Sequence, residues 1–250
     1  MRADVVVGAV QPGSGGAEVA GRVVAVIDVL RASTSIAVAL AHGAKAIIPF
    51  ESAEEAVLRS KAFERADVRL AGERRMRAIP GFDLGNSPAE FTRDAVEGKT
   101  ILFTTTNGTA ALLSVQGARD VVIASFVNFS PVVAMLRAAL RGGTDVTIIC
   151  AGRERQLALE DVACAGRYVR AIVEPLPGVV VNDAGRACMV LDQRYGAHLN
   201  ELFADAEHGQ ALAAAGFAAD LDWCAAIDSY PVVPIYQERQ ITKLGPERER

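Results

Sequence analysis

No apolar run in this 250-residue chain approaches the ~20 residues that a membrane-spanning helix needs. A basic excess is missing too. Its 26 Lys and Arg are outnumbered by 30 Asp and Glu, for a formal charge of -4, which gives nucleic acid no positive face to bind. Aromatics make up only 6%, within an otherwise ordinary globular composition of 51% hydrophobic and 22% charged residues. That is ample for one large core or two fused lobes. No C-x-x-C pair occurs among Cys150, Cys164, Cys188 and Cys224, so neither a zinc knuckle nor a disulfide framework is indicated. Their apolar or small neighbours mark them as buried free thiols of a reducing compartment. The opening, Met1-Arg2-Ala3-Asp4-Val5-Val6-Val7, is too short and too acidic for a signal peptide, which makes the cytoplasm the expected location.

Several catalytic signatures are absent as well. There is no G-x-x-x-x-G-K-[ST] loop and no strand-end D-x-D. Gly13-Ser14-Gly15-Gly16 follows a strand, but Glu18 stands where a dinucleotide fingerprint needs its third glycine, so a flexible turn is expected. Cys164 to Arg170 and Cys188 to Arg194 have the C-x5-R spacing of cysteine phosphatases. Both lie inside helical patterns, whose N–H groups are already bonded and cannot ring a phosphate.

What the sequence does contain is an alternation. Short β-branched runs at Val5–Val10, Arg22–Ile27, Ala44–Pro49, Val68–Ala71, Thr100–Thr105, Asp120–Ala124 and Asp145–Cys150 read as strands. Helical spacing separates most of them, at Ser33–Ala41, Ala53–Phe63, Pro88–Val96, Thr109–Val115, Pro131–Leu140 and Leu157–Val173. Strands apolar throughout and joined by helices predict an α/β fold with a mostly parallel sheet covered on both faces. No repeat or linker interrupts it, so one domain over 1–250 is expected, helix-rich from about 183. Asp183–Leu202 and Gln210–Ala226 read as helices, Val232–Tyr236 as a short last strand, and Pro246–Arg250 as a frayed end.

In open α/β sheets, ligands bind beyond the carboxyl ends of the strands. Five of these strands run into polar loops: Asp28 to Ser35, Gly72-Glu73-Arg74 with Gly81 to Pro88, Thr104 to Thr109, Ser125 with Asn128, and Ala151 to Arg155 with Glu160-Asp161. Ser33, Thr34 and Ser35 at a helix N-terminus offer hydroxyls and free N–H groups to an anion. Arg31 adds a bidentate grip, and Asp28 suits Mg²⁺, which takes one or two carboxylates plus substrate oxygens. The competing reading makes Ser33 a helix cap and pairs Asp28 with Arg31. Ser87-Pro88-Ala89-Glu90 reads as a capping box, which makes Ser87 structural. Asn107-Gly108 runs on into helix, which favours an anion cradle over a hairpin turn. Of the threonines before it, Thr105 and Thr106 are expected to face the site. Asp161 lies on an apolar helical stripe with Leu157, Ala158, Cys164 and Ala165, and a carboxylate there needs a partner or a metal. Glu160 points towards Gln156 and Arg167 and is more readily solvated. Among the histidines, His208 has a better functional claim than His42 or His198.

Taken in order, these loops resemble the 2-phosphosulfolactate phosphatase family. The matching stretches are Ile27 to Thr34, Gly72-Glu73-Arg74, Gly81 to Pro88, Thr104 to Thr109, Cys150-Ala151-Gly152 and Leu159-Glu160-Asp161. Weaker matches follow at Asp183-Ala184, His208-Gly209, Asp220, Cys224 and Val233-Pro234. The resemblance spans nearly the whole chain. It implies a three-layer α/β/α architecture and Mg²⁺-dependent hydrolysis of 2-phospho-3-sulfolactate to 3-sulfolactate and phosphate, a step of coenzyme M biosynthesis. Met76, Arg155 and Ala158 depart from the family pattern, where Gly, Gly and Ser are expected.

The spacing argument assigns the roles. Asp28 and Asp161 would hold Mg²⁺, with Glu73 or Asp83 as further ligand or general base. Arg31, Ser33, Thr34, Thr105, Thr106 and Asn107 would grip the phosphoryl group, with Asn86 a further substrate contact. Arg74 and Arg153 would hold a carboxylate or sulfonate. The expected partner is a small anionic phosphate ester, with neither nucleic acid nor membrane, and the sequence permits a homo-oligomer. The rival readings are a non-catalytic anion-binding protein, motivated by Met76 and Arg155, and a phosphotransferase with a small acceptor.

Overall fold

The computed structural model describes residues 1–8, 19–113, 115, 117–154 and 156–245. The Gly13–Gly16 turn with Glu18, the end of the first expected strand at Val10, Arg155 and the frayed end at 246–250 lie outside these residues.

The β-branched runs fold as expected. They form β1 (Arg2–Val7), β2 (Val23–Ile27), β3 (Ala46–Pro49), β4 (Val68–Arg74), β6 (Thr100–Thr104), β7 (Asp120–Ala124) and β8 (Val146–Cys150), with β5 (Arg77–Ala78) and β9 (Val180–Val181) as short edge strands. The helices between them are α1 (Ala32–Ala41), α2 (Ala53–Ser60), α3 (Arg93–Val96), α4 (Gly108–Leu113), α5 (Phe129–Arg141) and α6 (Leu159–Val173). The two long helices expected near the C-terminus are each split, into α7 (Asp183–Tyr195) and α8 (Leu199–Asp205), then α9 (Glu207–Ala214) and α10 (Ala218–Ala225). Glycines mark both breaks: Gly196 caps α7, and Gly216 takes a left-handed φ of 95° that a helix cannot continue through.

Side chains along β2 alternate between two cores, as a strand's twofold period requires. Val23, Ala25 and Ile27 join Tyr168 and Ile172 of α6 and Leu136 of α5 on one face. Val24 and Val26 join Ile36 and Leu40 of α1 on the other. The fold is therefore α/β, with helices on both faces of one sheet. α1 is buried from Ala32 to Leu40, which explains its nearly all-apolar or small sequence. Among the described residues, no helix is long and apolar enough to cross a membrane.

The sheet holds a feature that the sequence reading missed. The chain closes with a hairpin, β10 (Pro234–Gln237) and β11 (Gln240–Lys243), inserted at the sheet's centre in the order β5-β4-β6-β3-β11-β10-β7-β2-β8-β1-β9. Its two-residue turn puts Glu238 and Arg239 at φ 50° and 62°. Such turns usually carry Asn-Gly or Asp-Gly, so the usual hairpin signal is absent. All three joints at the hairpin (β3–β11, β11–β10 and β10–β7) are antiparallel. An odd number of reversals means that the parallel block β4-β6-β3 runs opposite to the parallel block β7-β2-β8-β1. In a flat sheet their carboxyl ends would lie at opposite edges. The end loops nevertheless meet, with Glu154 N–H donating to Asn107 Oδ1 at 3.1 Å; strand twist, which accumulates across a wide sheet, favours such an approach.

Asn128 pins this joint. Its side-chain amide is fully buried, accepting from Ser125 N at 2.9 Å and donating to Ile123 O at 3.0 Å and Val232 O at 3.3 Å. These bonds tie β7 to the segment that enters the hairpin. Asn128→Ala leaves three buried backbone groups short of a partner, and urea unfolding is expected to show a loss of about 2–3 kcal/mol. A loss under ~0.5 kcal/mol, the level of an ordinary surface substitution, would contradict this role.

Candidate active site

A buried carboxylate holds two of the strand-end loops together. Asp161, 2% exposed, accepts Val29 N–H at 2.8 Å and Gly152 N–H at 3.0 Å, fixing the loop after β2 to the loop after β8. Asp28, the first residue after β2, accepts the Ala32 N–H at the start of α1. The helix's positive end is thus already met by the protein's own carboxylate. Gly108 opens α4 against that carboxylate, and a Cβ there would fall 2.7 Å from Asp28 Oδ2 and 2.8 Å from Ala32 Cβ.

The opposite block supplies the facing wall. Glu73, the next-to-last residue of β4, is 7% exposed. Its Oε1 accepts Thr106 N–H at 2.9 Å and Thr106 O–H at 2.8 Å, and its Oε2 accepts Met76 N–H at 2.8 Å. Arg74 donates to Thr104 Oγ1 at 3.0 Å. Asn107 Oδ1 accepts Glu154 N–H at 3.1 Å, so the loop after β6 meets the loop after β8 across the two blocks. Gly72, at φ 154°, lets β4 approach the end of β6, because a Cβ there would lie 2.1 Å from Thr104 O.

Arg31 closes the third side. Its guanidinium donates to Asp220 Oδ2 at 2.7 Å and to Met76 O at 2.8 Å, and it stacks over Phe217 at 4.5 Å. Ser87 O–H donates to Asp220 Oδ1 at 2.6 Å. Arg31 therefore pairs with Asp220 of α10 rather than with Asp28.

These loops enclose a cavity of about 590 Å³. From the block of β2 it is lined by Asp28, Leu30, Arg31, Arg153 and Glu154, and from the block of β4 by Glu73, Arg74, Arg75, Met76, Asn86, Thr105, Thr106 and Asn107, with His208 from α9. The other expected site residues lie elsewhere. Ser33 Oγ accepts Asp28 N–H at 2.9 Å, and Thr34 Oγ1 donates to Val29 O at 2.9 Å, so both hydroxyls are spent inside the fold. Asp83 is held by Arg65 and by Leu70 N–H, and opens on a different surface hollow. Asp161 does not line the cavity, and both its oxygens are bonded to backbone. It positions the loops. The expected capping box at Ser87 does not form either: Ser87 bonds Asp220, while Glu90 binds Gly85 N–H. Glu160, expected to be solvated, is 1% exposed and accepts from His208 Nδ1 at 3.1 Å.

The chain is similar to proteins that carry one functional name. The family model for 2-phosphosulpholactate phosphatase matches residues 12–239. The probable 2-phosphosulfolactate phosphatase of Symbiobacterium thermophilum is 42% identical over 91% of this chain and 96% of its own. Those of Caldanaerobacter subterraneus subsp. tengcongensis (39% identical; 84% and 86% covered) and Caldicellulosiruptor saccharolyticus (36%; 88% and 90%) are also similar. The chain belongs to the 2-phosphosulfolactate phosphatase family.

In this family member the cavity's charge is divided. Arg31, Arg74, Arg75 and Arg153 oppose Asp28, Glu73 and Glu154. Arg75 was missed in the sequence. It is exposed at φ 51° on the β4–β5 turn and has no charged or hydrogen-bonding partner among the described residues. Its signal was only its place after Gly-Glu-Arg. Among the described residues no group of three or more His, Cys, Asp or Glu side chains is gathered closely enough to hold a metal by itself. Asp28 and Glu73, both facing the cavity, nevertheless fit the needs of Mg²⁺, which takes one or two carboxylates and leaves its other positions to water and phosphate oxygens.

Burial raises the Asp28 carboxyl to about 6, helped by the charges of Glu160 and Glu73 and opposed by His208 and the Ala32 N–H. Burial, then Glu160 and Asp28, likewise push Asp161 well up. Because the folded Asp28 pKa lies above the unfolded value, its contribution favours folding at acid pH and is lost as pH rises through about 6. At pH 8 the ionised, buried group costs roughly 3 kcal/mol. In EDTA, Asp28→Asn is expected to be more stable than the parent at pH 8, with the gap closing towards pH 5. A difference between the two proteins that stays constant with pH would refute this.

Proposed function

We propose that this chain is a Mg²⁺-dependent phosphatase for the phosphate ester of a small 2-hydroxy acid, with 2-phospho-3-sulfolactate as the substrate and 3-sulfolactate and phosphate as products. The observation that carries this reading is the divided cavity, in which two buried carboxylates face several guanidinium groups across a space of small-ligand size. The names of the similar proteins support the substrate. The buried free thiols of Cys150, Cys164, Cys188 and Cys224 support a reducing compartment.

Asp28 and Glu73 would hold the ion, which supplies charge neutralisation at the phosphoryl oxygens when bound. Glu73 keeps its orientation through Thr106 and Met76. Asn107 and Asn86, beside Thr105 on the same wall, offer amide groups to the phosphoryl oxygens, while the N–H and O–H of Thr106 are engaged by Glu73. Arg153, whose guanidinium has no bonding partner among the described residues, and Arg75 suit the carboxylate and sulfonate, where planar guanidinium forks match planar or threefold anions. Arg31 borders this set, but its ion pair with Asp220 commits much of its donor capacity.

A non-catalytic anion binder on the same fold is the alternative, and Met76 on the cavity wall is what favours it. Phosphate release from 2-phosphosulfolactate and phospholactate, with Mg²⁺ or with EDTA, separates the two. Turnover with Mg²⁺ is expected, abolished by EDTA and reduced at least ~10²-fold in Asp28→Asn, the scale of losing one electrostatic contact to the reacting group. Tight ester binding by the folded protein without release of phosphate, insensitive to Asp28→Asn, would establish the binder instead.

A further inference from the structure

The imidazole in the cavity wall has no part in the scheme above. His208 stands in the first turn of α9, with its ring 13% exposed. Its Nδ1 lies 3.1 Å from Glu160 Oε1, a carboxylate 2% exposed. An ionised carboxylate only accepts, so Nδ1 carries its hydrogen towards Glu160. Nε2, which has no partner among the described residues, is left for the cavity that His208 lines with Asp28 and Arg153. The other carboxylate oxygen, Glu160 Oε2, is buried without a hydrogen-bond partner among the described residues. Leaving a carboxylate oxygen in that state costs free energy. A structural ion pair at a helix start does not require it, since an exposed partner would hold His208 equally well. A buried carboxylate behind a histidine whose far nitrogen meets a substrate cavity is the arrangement that fixes an imidazole's tautomer and direction for proton transfer.

We infer that His208 is the general acid that protonates the departing C2 oxygen of the ester, with Glu160 as its positioning residue. The inference rests on the phosphatase reading. The need is chemical: an alkoxide is a poor leaving group, and phosphoryl transfer through a loose transition state places much of the developing charge on that oxygen. As water adds to phosphorus, the P–O bond to C2 breaks, and its electron pair takes the Nε2 proton of imidazolium His208. The products are the free hydroxy acid, neutral His208 and H₂PO₄⁻. The phosphate then returns one proton to Nε2 and departs as HPO₄²⁻, which restores the imidazolium and needs no further reagent.

The test compares phospholactate with phosphoenolpyruvate, which has nearly the same skeleton and anionic groups but leaves as a much better, enolate oxygen. His208→Asn is expected to lose 10²–10³-fold in kcat on phospholactate, within the range for general acid catalysis, and at most ~10-fold on phosphoenolpyruvate. Glu160→Gln should show the same split at reduced size, about 10-fold on phospholactate, with KM unchanged for both esters. The bridging-¹⁸O isotope effect on phospholactate, expected to rise in either variant as the oxygen departs unprotonated, reads the same event on one substrate. Equal losses on both esters with an unchanged isotope effect, or no loss on phospholactate, would overturn the inference. A parent protein that releases phosphate from neither of these esters nor from 2-phosphosulfolactate would instead overturn the phosphatase reading.

Discussion

The buried ion pair between Arg31 and Asp220 is the contact on which the cavity's shape depends. Arg31 belongs to the loop after β2, Asp220 to α10, and the pair's remaining bonds reach Met76 on the β4–β5 turn and Ser87 in the loop leading to α3. One guanidinium thus joins both parallel blocks of the sheet to the C-terminal helices. With side-chain exposures of 2% and 5%, the pair repays little of its desolvation cost as net stability. Its effect is on specificity: removing either partner leaves the other charged and buried, so competing arrangements of the three segments are penalised. The stack of Phe217 on the same guanidinium adds a geometric constraint.

That clamp matters because the sheet does not by itself align the two halves of the site. In a wholly parallel sheet, all strand-end loops share one edge and a cleft follows from topology. Here the central hairpin reverses the sense between blocks, and the end loops meet through side-chain contacts. The contacts across the gap are therefore individual side chains, each spanning a long stretch of sequence. Asn107 accepts Glu154 N–H and Arg31 donates to Met76 O across it, while inside the blocks Asp161 binds Val29 and Gly152 and Glu73 binds Thr106. The carboxylates pay desolvation for this, which is why Asp28 and Asp161 are both raised. The cavity thus sets a raised carboxylate, Asp28, beside the guanidinium groups of Arg75 and Arg153.

The fold class, most strand and helix positions and the polar loops that line the cavity were legible in the sequence, since hydrophobic period and loop chemistry are local properties. Expectations failed where a side chain had two local uses. Ser33 and Thr34 at the start of α1 suit an anion cradle, but their hydroxyls bond Asp28 N–H and Val29 O five residues away. Glu160 and Asp161 exchange expectations. Asp161, read as a metal ligand, is spent on backbone, and Glu160, read as solvated, backs a histidine in the cavity. Adjacent positions on a helix differ by 100° of rotation, so which one faces the site is set by how the helix packs.

By itself the sequence determined an α/β chain whose β-branched runs end in Gly-, Asp- and Arg-bearing loops, together with its family. Those properties arise within windows of a few residues, where backbone sterics and apolar period act. Tertiary structure alone decided that β10 and β11 divide the sheet, because their turn lacks the usual residues. It also decided that Arg31 pairs with Asp220, 189 positions away, and His208 with Glu160, 48 away. Ion pairs and hydrogen bonds depend on distance in space, and only the packed chain sets that distance.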